Sequence, residues 1–480
     1  MRLRKLLLSM MISSVSLGSA AAQQPIKDPA RATTTPASRS AKRISDDSVP
    51  AVATSGGQNH YQRVQYEMPN GSIAPAAMSY SPGCDMSGCD MASCGVESSC
   101  GVEAGCDGNC GGGCGSGFGS FSGNRCGGNG AWFGAESLLW WGQNRNAPPL
   151  MTTAAQGVVP IAGAPGVTTV AGGVEGLNSG LLPGYRITGG MYFGPEQRVG
   201  ISGRVFGIFR QNDTISRTSD GSTDSLGLPF FNALINQPDA YLVGFNNGAP
   251  VSSGTASVSN RIQLVAAEPS LRFLVSRSCD HHVDLLGGYT YLNLKDSVTV
   301  ASDSIDTFTG NFIPDGTRFQ TNDLFAAENT FHGGHLGLQS TVARSRVSLT
   351  TLTKVSFGNM HETTAINGST IVTQPNGAPQ TTAGGIYAQA SNSGPFTRDT
   401  FAFIPELGIR SGLKIRDNMK LTAGYTFLFV SKAALAGNQI NPVLDPSQFQ
   451  GGAQAVQPTF DFREGSMWFQ GLDLGLNWTF

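Results

Sequence analysis

The last ten residues set the tightest constraint on the fold. Leu472, Leu474, Leu476, Trp478 and Phe480 fall on one face of an extended strand, and Gly471, Asp473, Gly475, Asn477 and Thr479 fall on the other. The preceding run repeats the pattern, with Met419, Leu421, Ala423, Tyr425, Phe427 and Phe429 against Lys420, Thr422, Gly424 and Thr426. Upstream, the same period of two recurs as far as Trp132. It gives ten candidate strands: 132–141, 185–193, 198–209, 262–275, 281–294, 324–341, 344–357, 400–415, 418–431 and 467–480. In a soluble sandwich the apolar face would pack on a second sheet. In an outer-membrane barrel it would face lipid, and the polar face would line the lumen.

The connections favour the barrel. Gly194 to Gln197, Ser276 to Asp280, Val342–Ala343 and Arg416–Asp417 are short and mostly polar. The stretches 210–261, 358–399 and 432–466 are long and rich in Gly, Asn and Thr. Long connections of this kind are uncommon in compact soluble domains, whereas membrane barrels alternate short periplasmic turns with long external loops. The expected fold is all-β: an antiparallel up-and-down transmembrane β-barrel over 131–480, of about ten strands in a range of roughly eight to fourteen, behind a disordered N-terminal extension. An even strand count puts both ends of the barrel on the periplasmic side. Composition agrees, because charged residues are only 13% of the chain while Gly reaches 63 of 480, as suits a surface that is apolar on alternate residues only. The formal net charge of -2 offers no basic excess for nucleic acid.

The N-terminal part differs in character. Arg2, Arg4 and Lys5 precede an apolar stretch from Leu6 to Leu17, and Ala20-Ala21-Ala22 supplies small residues before Gln23. This order predicts a secretory signal peptide over 1–22, and Gln23 stands where a lipoprotein would need Cys. Residues 23–83, an Ala/Ser/Thr/Pro-rich linker, carry too little apolar surface to offset their ordering entropy. The Cys/Gly-rich segment 84–130 holds Cys84, Cys89, Cys94, Cys100, Cys106, Cys110, Cys114 and Cys126 with almost no large apolar side chain. Three readings stand: disulfides within the chain or to neighbouring envelope proteins, soft-metal ligation by thiolates, and a low-complexity linker without a defined role. The absence of CxxC pairs and of His in the segment argues against a specific zinc module. Cys279 stands alone.

Trp140, Trp141, Tyr192, Phe193, Tyr289, Tyr291, Trp468 and Trp478 lie towards strand ends, where aromatic rings favour the membrane interface. Phe480 joins this interface set as the final residue. The opening run from Trp132 to Trp141 (WFGAESLLWW), with Pro148-Pro149-Leu150 and Thr152-Thr153, resembles the β-barrel porin family of planctomycete bacteria. So do Leu421 to Phe427, Asn438-Gln439-Ile440, Met467 to Leu472 and Gly475 to Phe480. The resemblance spans about 131–480 and implies an outer-membrane barrel without naming a solute. It leads one to expect an Asp after Ile440, where this chain has Asn441. A terminal aromatic on an amphipathic last strand also resembles the signal that barrel-insertion machinery recognises.

The sequence offers little catalytic chemistry. His281-His282 falls at a short turn, and His332 and His335, three apart in one strand, point to opposite faces. Gly-x-Ser-x-Gly and His-Glu-x-x-His are absent. The expectation is a non-enzyme without catalytic residues, cofactor or metal centre. Charges opposite the apolar stripe are more informative: Arg186, Arg204, Glu268, Arg272, Arg346, Lys354, Glu406, Arg410 and Asp473 are expected to line the lumen. Facing lipid, each mid-strand Arg or Lys would cost about 2–4 kcal/mol. Glu268 and Arg272, like Glu406 and Arg410, are four residues apart on one strand, about 13 Å, so their partners must lie on other strands. Such a set makes either a charged constriction that selects solutes or a salt-bridged plug. The expected function is porin-like passive passage of small solutes through the outer membrane. The alternative is a structural or adhesive envelope protein with a closed barrel, exposed loops and a disulfide-linked tail. Expected partners are outer-membrane lipid, the insertion machinery and disulfide-linked envelope proteins, with the N-terminal extension in the periplasm.

Overall fold

The computed structural model describes residues 130–480, apart from Ser179, Cys279, 309–312 and 448–455. The expected signal peptide, the linker, the eight clustered cysteines, Cys279 and His60 lie outside the described residues.

In chain order the first strands are β1 (Trp132–Gly142), β2 (Arg145–Ala155), β3 (Val167–Leu177), β4 (Leu182–Phe193) and β5 (Val199–Ser219). Then come β6 (Asp224–Asn232), β7 (Gln237–Asn246), β8 (Pro250–Arg277), β9 (His281–Asp306), β10 (Arg318–Arg344) and β11 (Val347–Thr373). The last are β12 (Gln380–Ala383), β13 (Gly394–Arg416), β14 (Met419–Ala434), β15 (Val443–Leu444) and β16 (Glu464–Thr479).

Ten of them close into a ring. From β1 the order runs through β4, β5, β8, β9, β10, β11, β13, β14 and β16 back to β1, every pair antiparallel. Closure leaves these strands no free edge in the membrane, where an unpaired backbone group has no water to bond. Apolar side chains face outward around the ring. Val199, Ile201, Val205 and Phe209 on β5, Leu336 and Leu338 on β10, and Phe403, Leu407, Ile409 and Leu413 on β13 are all exposed. From Val199 to Phe209, ten steps of about 3.3 Å inclined at about 40° make a band ~25 Å tall, the height of a barrel's lipid-facing girdle.

The strands overshoot that band. A barrel strand needs about 9–11 residues to cross, yet β8 has 28, β9 has 26 and β10 and β11 have 27 each. On the opposite wall β1 has 11 and β4 has 12. The tall wall stands above the membrane, and its hollow is filled by a second sheet in which β3, β2, β6 and β7 pair in that order, with β15 parallel to β6. Leu150 and Met151 of β2, Leu226 and Leu228 of β6, Val298 and Val300 of β9 and Phe325 of β10 share the core between them. This outer head is built like a soluble sandwich, with its polar face outside.

Two sequence expectations need correction. Parts of 210–261, 358–399 and 432–466 are strands, not loops: some continue the barrel wall above the lipid with Ser, Thr and Asn facing water, and β6, β7 and β15 build the second sheet. The turn between β10 and β11 is Ser345–Arg346, not Val342–Ala343. Ser345 takes the left-handed backbone (φ 52°) that a tight turn needs, while Val342 still faces outward.

Candidate functional site

The lumen carries the charged residues that the lipid-facing band lacks. Alternation of side chains along each strand puts Glu136 of β1 and Arg186 of β4 opposite each other on the inner wall. The Arg186 guanidinium bonds Glu136 at 2.9 Å and Asp473 of β16 at 2.8 Å. Asp473 also accepts the indole N–H of Trp140 at 2.8 Å and the hydroxyl of Thr426. Arg410 of β13 reaches Glu136 through Nε at 2.8 Å.

Beside this cluster, two cross-strand pairs face one another. Arg204 of β5 is in register with Glu268 of β8, and Lys354 of β11 with Glu406 of β13. Arg204 donates from both terminal nitrogens to the two oxygens of Glu406, and Lys354 reaches both Glu406 (2.9 Å) and Glu268. In the ring β5 and β13 are five strands apart by either route, so the Arg204–Glu406 fork spans the lumen. Four carboxylates and four cations thus cancel across one layer. Each carboxylate meets at least one cation, which offsets the cost of withdrawing these charges from water.

Above this layer the lumen is apolar: Leu138, Phe206, Leu264, Phe331, Leu428 and Phe469 are all buried in one cluster. Higher still, the segment from Ala433 through the single helical turn Ala436–Gln439 lies across the mouth. Asn329 accepts the Ala434 N–H at 2.6 Å and donates to its carbonyl at 2.9 Å, and Asp296 accepts the Ala436 N–H at 2.8 Å. Arg145 of β2 bonds Asp296 and Asn260 at the same place. Below the charged layer is a cavity of about 110 Å³, with Ser202, Ser270, Ser348, Thr350, Lys420 and Asn477 among its lining residues. At the short-turn end of the barrel Asp284 takes His282 Nε2 at 2.8 Å, the Tyr192 hydroxyl, and the Arg272 guanidinium at 3.6 Å. Arg272 also donates to Gln339 at 2.6 Å.

Of the residues expected to line the lumen, Arg186, Arg204, Glu268, Lys354, Glu406, Arg410 and Asp473 lie in the charged layer, and Arg272 lies below it. Arg346 does not join them. It occupies the β10–β11 turn, exposed to solvent, where its carbonyl accepts the Lys414 N–H at 2.8 Å. Trp140 was expected at the membrane interface but is fully buried in the lumen, and Tyr192 likewise turns inward. Neighbours on a strand point to opposite faces, so only one of Trp140 and Trp141 could face lipid; Trp141 does, against Tyr425. Trp478 packs on Phe133 at the other rim, Trp468 shares the outward parity of Leu472, and Phe480 is exposed.

Glu136 and Asp284 are absent from the set expected to line the lumen, whereas Thr426 lies on the polar face where the alternation puts it. Glu136 shares the parity of Leu138 and Trp140, so a strict reading of β1 by faces would have turned it inward. His332 packs outside on Tyr289 and Tyr291, while His335 bonds Ser270 and Thr290 inside. Asn441 closes a local turn, accepting the Val443 N–H and donating to the Thr459 carbonyl, each at 3.1 Å. Among the described residues no group of three or more His, Cys, Asp or Glu is arranged to hold a metal ion.

Several solved structures share a distant likeness with the chain. The outer membrane protease OmpT of Escherichia coli is similar over 73% of this chain and 96% of its own, at 11% identity and a TM-score of 0.33. A FadL homologue of Pseudomonas aeruginosa is similar over 72% and 89%, at 10% identity and a TM-score of 0.19. The toluene transporter TodX of P. putida is similar over 73% and 90%, at 8% identity and a TM-score of 0.18. At these scores none of them carries an argument about fold or activity. No curated protein sequence matches the chain. The family model described as "Putative beta barrel porin-7 (BBP7)" matches residues 132–480, from the first barrel strand to the end of the last, and the chain belongs to that family.

Proposed function

We propose that this outer-membrane barrel is closed in its resting state and acts as an anchor that presents the outer head at the cell surface. One observation carries the reading: the lumen is filled in successive layers, and Arg204 on one wall is bonded to Glu406 on the wall facing it. Barrels of about eight strands are filled by side chains, and an aqueous channel needs about sixteen. Ten strands sit at the filled end. The inner charges serve packing here, since each carboxylate of the layer is held by a guanidinium or ammonium and none is left as a free acid or base. This also favours a non-enzymatic role. Planar-bilayer recordings of the purified protein should show no steady conductance, and surface labelling of intact cells should reach the head. Well-resolved steps in the unmodified protein would overturn the closed reading.

A second reading, passive passage of small solutes, has its own support in the family description and in the cavity of about 110 Å³ beneath the charged layer. It requires the Arg204–Glu406 fork and the apolar layer above it to part. Conductance that appears only after a voltage or osmotic stimulus, and is lost when Arg204 and Glu406 are both replaced by cysteines and crosslinked, would favour it.

A further inference from the structure

The outer surface of the tall wall carries a second polar feature, unrelated to the lumen. Just beyond the lipid-facing band, β8, β9, β10 and β11 run side by side, and two rows of residues face outward. Gln263, Lys295, Glu328 and Thr363 are in register in one row, and Arg261, Ser297, Ala326 and Ala365 in the next. Ser297, Ala326 and Ala365 have short side chains, so the second row sinks beneath its neighbours and forms the floor of a cup of about 230 Å³. Arg261 and Lys295 stand on its rim, both exposed.

The third rim cation comes from β5. The pairing of β5 with β8 slips between Ile208 and Gln211, leaving Phe209 and Arg210 as an irregularity in the ladder. Such bulges re-aim side chains, and this one leaves Phe209 and Arg210 both exposed, with Arg210 at the edge of the cup and Phe209 beside it against Tyr185. Arg261 donates to Asn212 at 2.6 Å, and Lys295 is 3.0 Å from Glu328, which also accepts from Asn293. Among the described residues Arg210 has no ion-pair or hydrogen-bond partner. Three cations therefore surround a floor of small side chains, against one carboxylate.

Height decides what can reach them. Tyr289 and Tyr291, with His332 packed on both, mark the interfacial aromatic level on this wall. Lys295 lies four residues past Tyr291, about 13 Å along the strand, among the headgroups of the outer leaflet. An anion seated there would be attached to lipid.

We propose that the cup formed by Arg210, Arg261 and Lys295 binds the phosphorylated sugar headgroup of an outer-leaflet glycolipid, with Phe209 and the tyrosines against its acyl chains. The small floor admits a sugar ring, and the rim supplies charge to its phosphates. Basic side chains near an anionic surface contribute about 1 kcal/mol each, so replacing all three corresponds to about a 100-fold loss of affinity.

The test uses the full chain in detergent and bisphosphorylated lipid A as the probe, followed by native mass spectrometry. The parent should retain the lipid. The triple variant R210Q/R261Q/K295Q should bind it about 100-fold more weakly, with unchanged melting. A control variant, R217Q, exposed on the same strand higher up, should bind like the parent. Dephosphorylated lipid A should bind poorly, and millimolar inorganic phosphate should not displace the phosphorylated form. Retention of lipid A by the triple variant would overturn the site. Equal binding of phosphatidylglycerol, or full displacement by inorganic phosphate, would overturn the glycolipid assignment and leave a general anion patch.

Discussion

Near the short turn to β11, β10 turns Leu336, Leu338 and Val342 outward and His335 and Thr341 inward. Higher up, with no slip in register to either neighbour, it turns Gln320, Asn322 and Glu328 outward and buries Phe319, Phe325 and Phe331. One strand thus crosses two solvents and reverses its polarity between them. In the lower half the hydrophobic face is satisfied by lipid, so the interior is free to hold charge. In the upper half water takes the outer face, and the interior must supply an apolar core. The backbone is common to both halves; the choice of side chain at each parity follows the medium.

The contrast can be broken most forcefully from within the head. Phe325→Ala should remove about 3–5 kcal/mol from the stability of that half, read as earlier proteolysis of the head while the barrel keeps its heat-modifiable migration on gels. Simultaneous loss of both would show that the halves unfold as one unit. In the membrane half the equivalent blow is electrostatic. Arg204→Ala leaves Glu268 and Glu406 sharing Lys354 alone, and breaking a buried network of this kind costs about 3–5 kcal/mol. The melt should fall accordingly, and steady bilayer conductance would show that the layer is also the seal.

A smaller and more direct comparison uses one substitution at two heights. Leu338→Lys faces lipid and should cost about 2–4 kcal/mol. Thr299→Lys, facing outward on β9 in the head, should stay within about 0.5 kcal/mol. Equal costs in folding titrations would remove the lipid boundary drawn here between them.

The mildest test is of pH. Asp323 lies in the head, nine residues beyond His332, about 30 Å along the strand. It is buried and accepts the N–H groups of Ile386 and Ala388 at 3.0 and 2.9 Å. Burial pushes its carboxyl up to about 6, against the opposing pull of those N–H donors. A carboxyl raised in the folded state binds more protons there than when unfolded, so this group's contribution to stability falls as pH rises from about 4 to about 6. Melting of the head should therefore drop by a few degrees across that interval, and Asp323→Asn should flatten the slope. A parent protein already flat in that range would remove the carboxyl from the account.

The two halves were unequally legible in the sequence. The membrane strands were found because lipid requires an unbroken apolar stripe, as in Leu472, Leu474 and Leu476. In the sequence alone the head has the composition of loops. On β9 the inward series runs Val298, Val300, Ser302, Ser304, so its apolar period fades within two turns of the pleat, and its outer face mixes Ser297, Thr299, Ala301, Asp303 and Ile305. The inner sheet was hidden by proline: Pro148 and Pro149 in β2, Pro229 in β6 and Pro238 in β7 argue locally against a strand and are tolerated at irregular or edge positions. In the lumen, a charge opposite a stripe was enough to place Arg186, Arg204 and Glu406. Their pairing depends on which strands meet across the ring, and periodicity within one strand holds no such information.

The seam between β1 and β16 has a kinetic meaning. Trp132 lies against Thr479, and the Phe480 N–H bonds the Ala131 carbonyl at 2.9 Å, so the ring shuts through partners more than three hundred residues apart. Contacts of such long sequence separation form slowly, and no earlier strand can substitute for the last. Until β16 arrives, β1 and β14 each present an open edge that would pair with any other chain. The time between export and closure is therefore the interval in which this protein is most exposed to aggregation, and shelter is needed at those two edges.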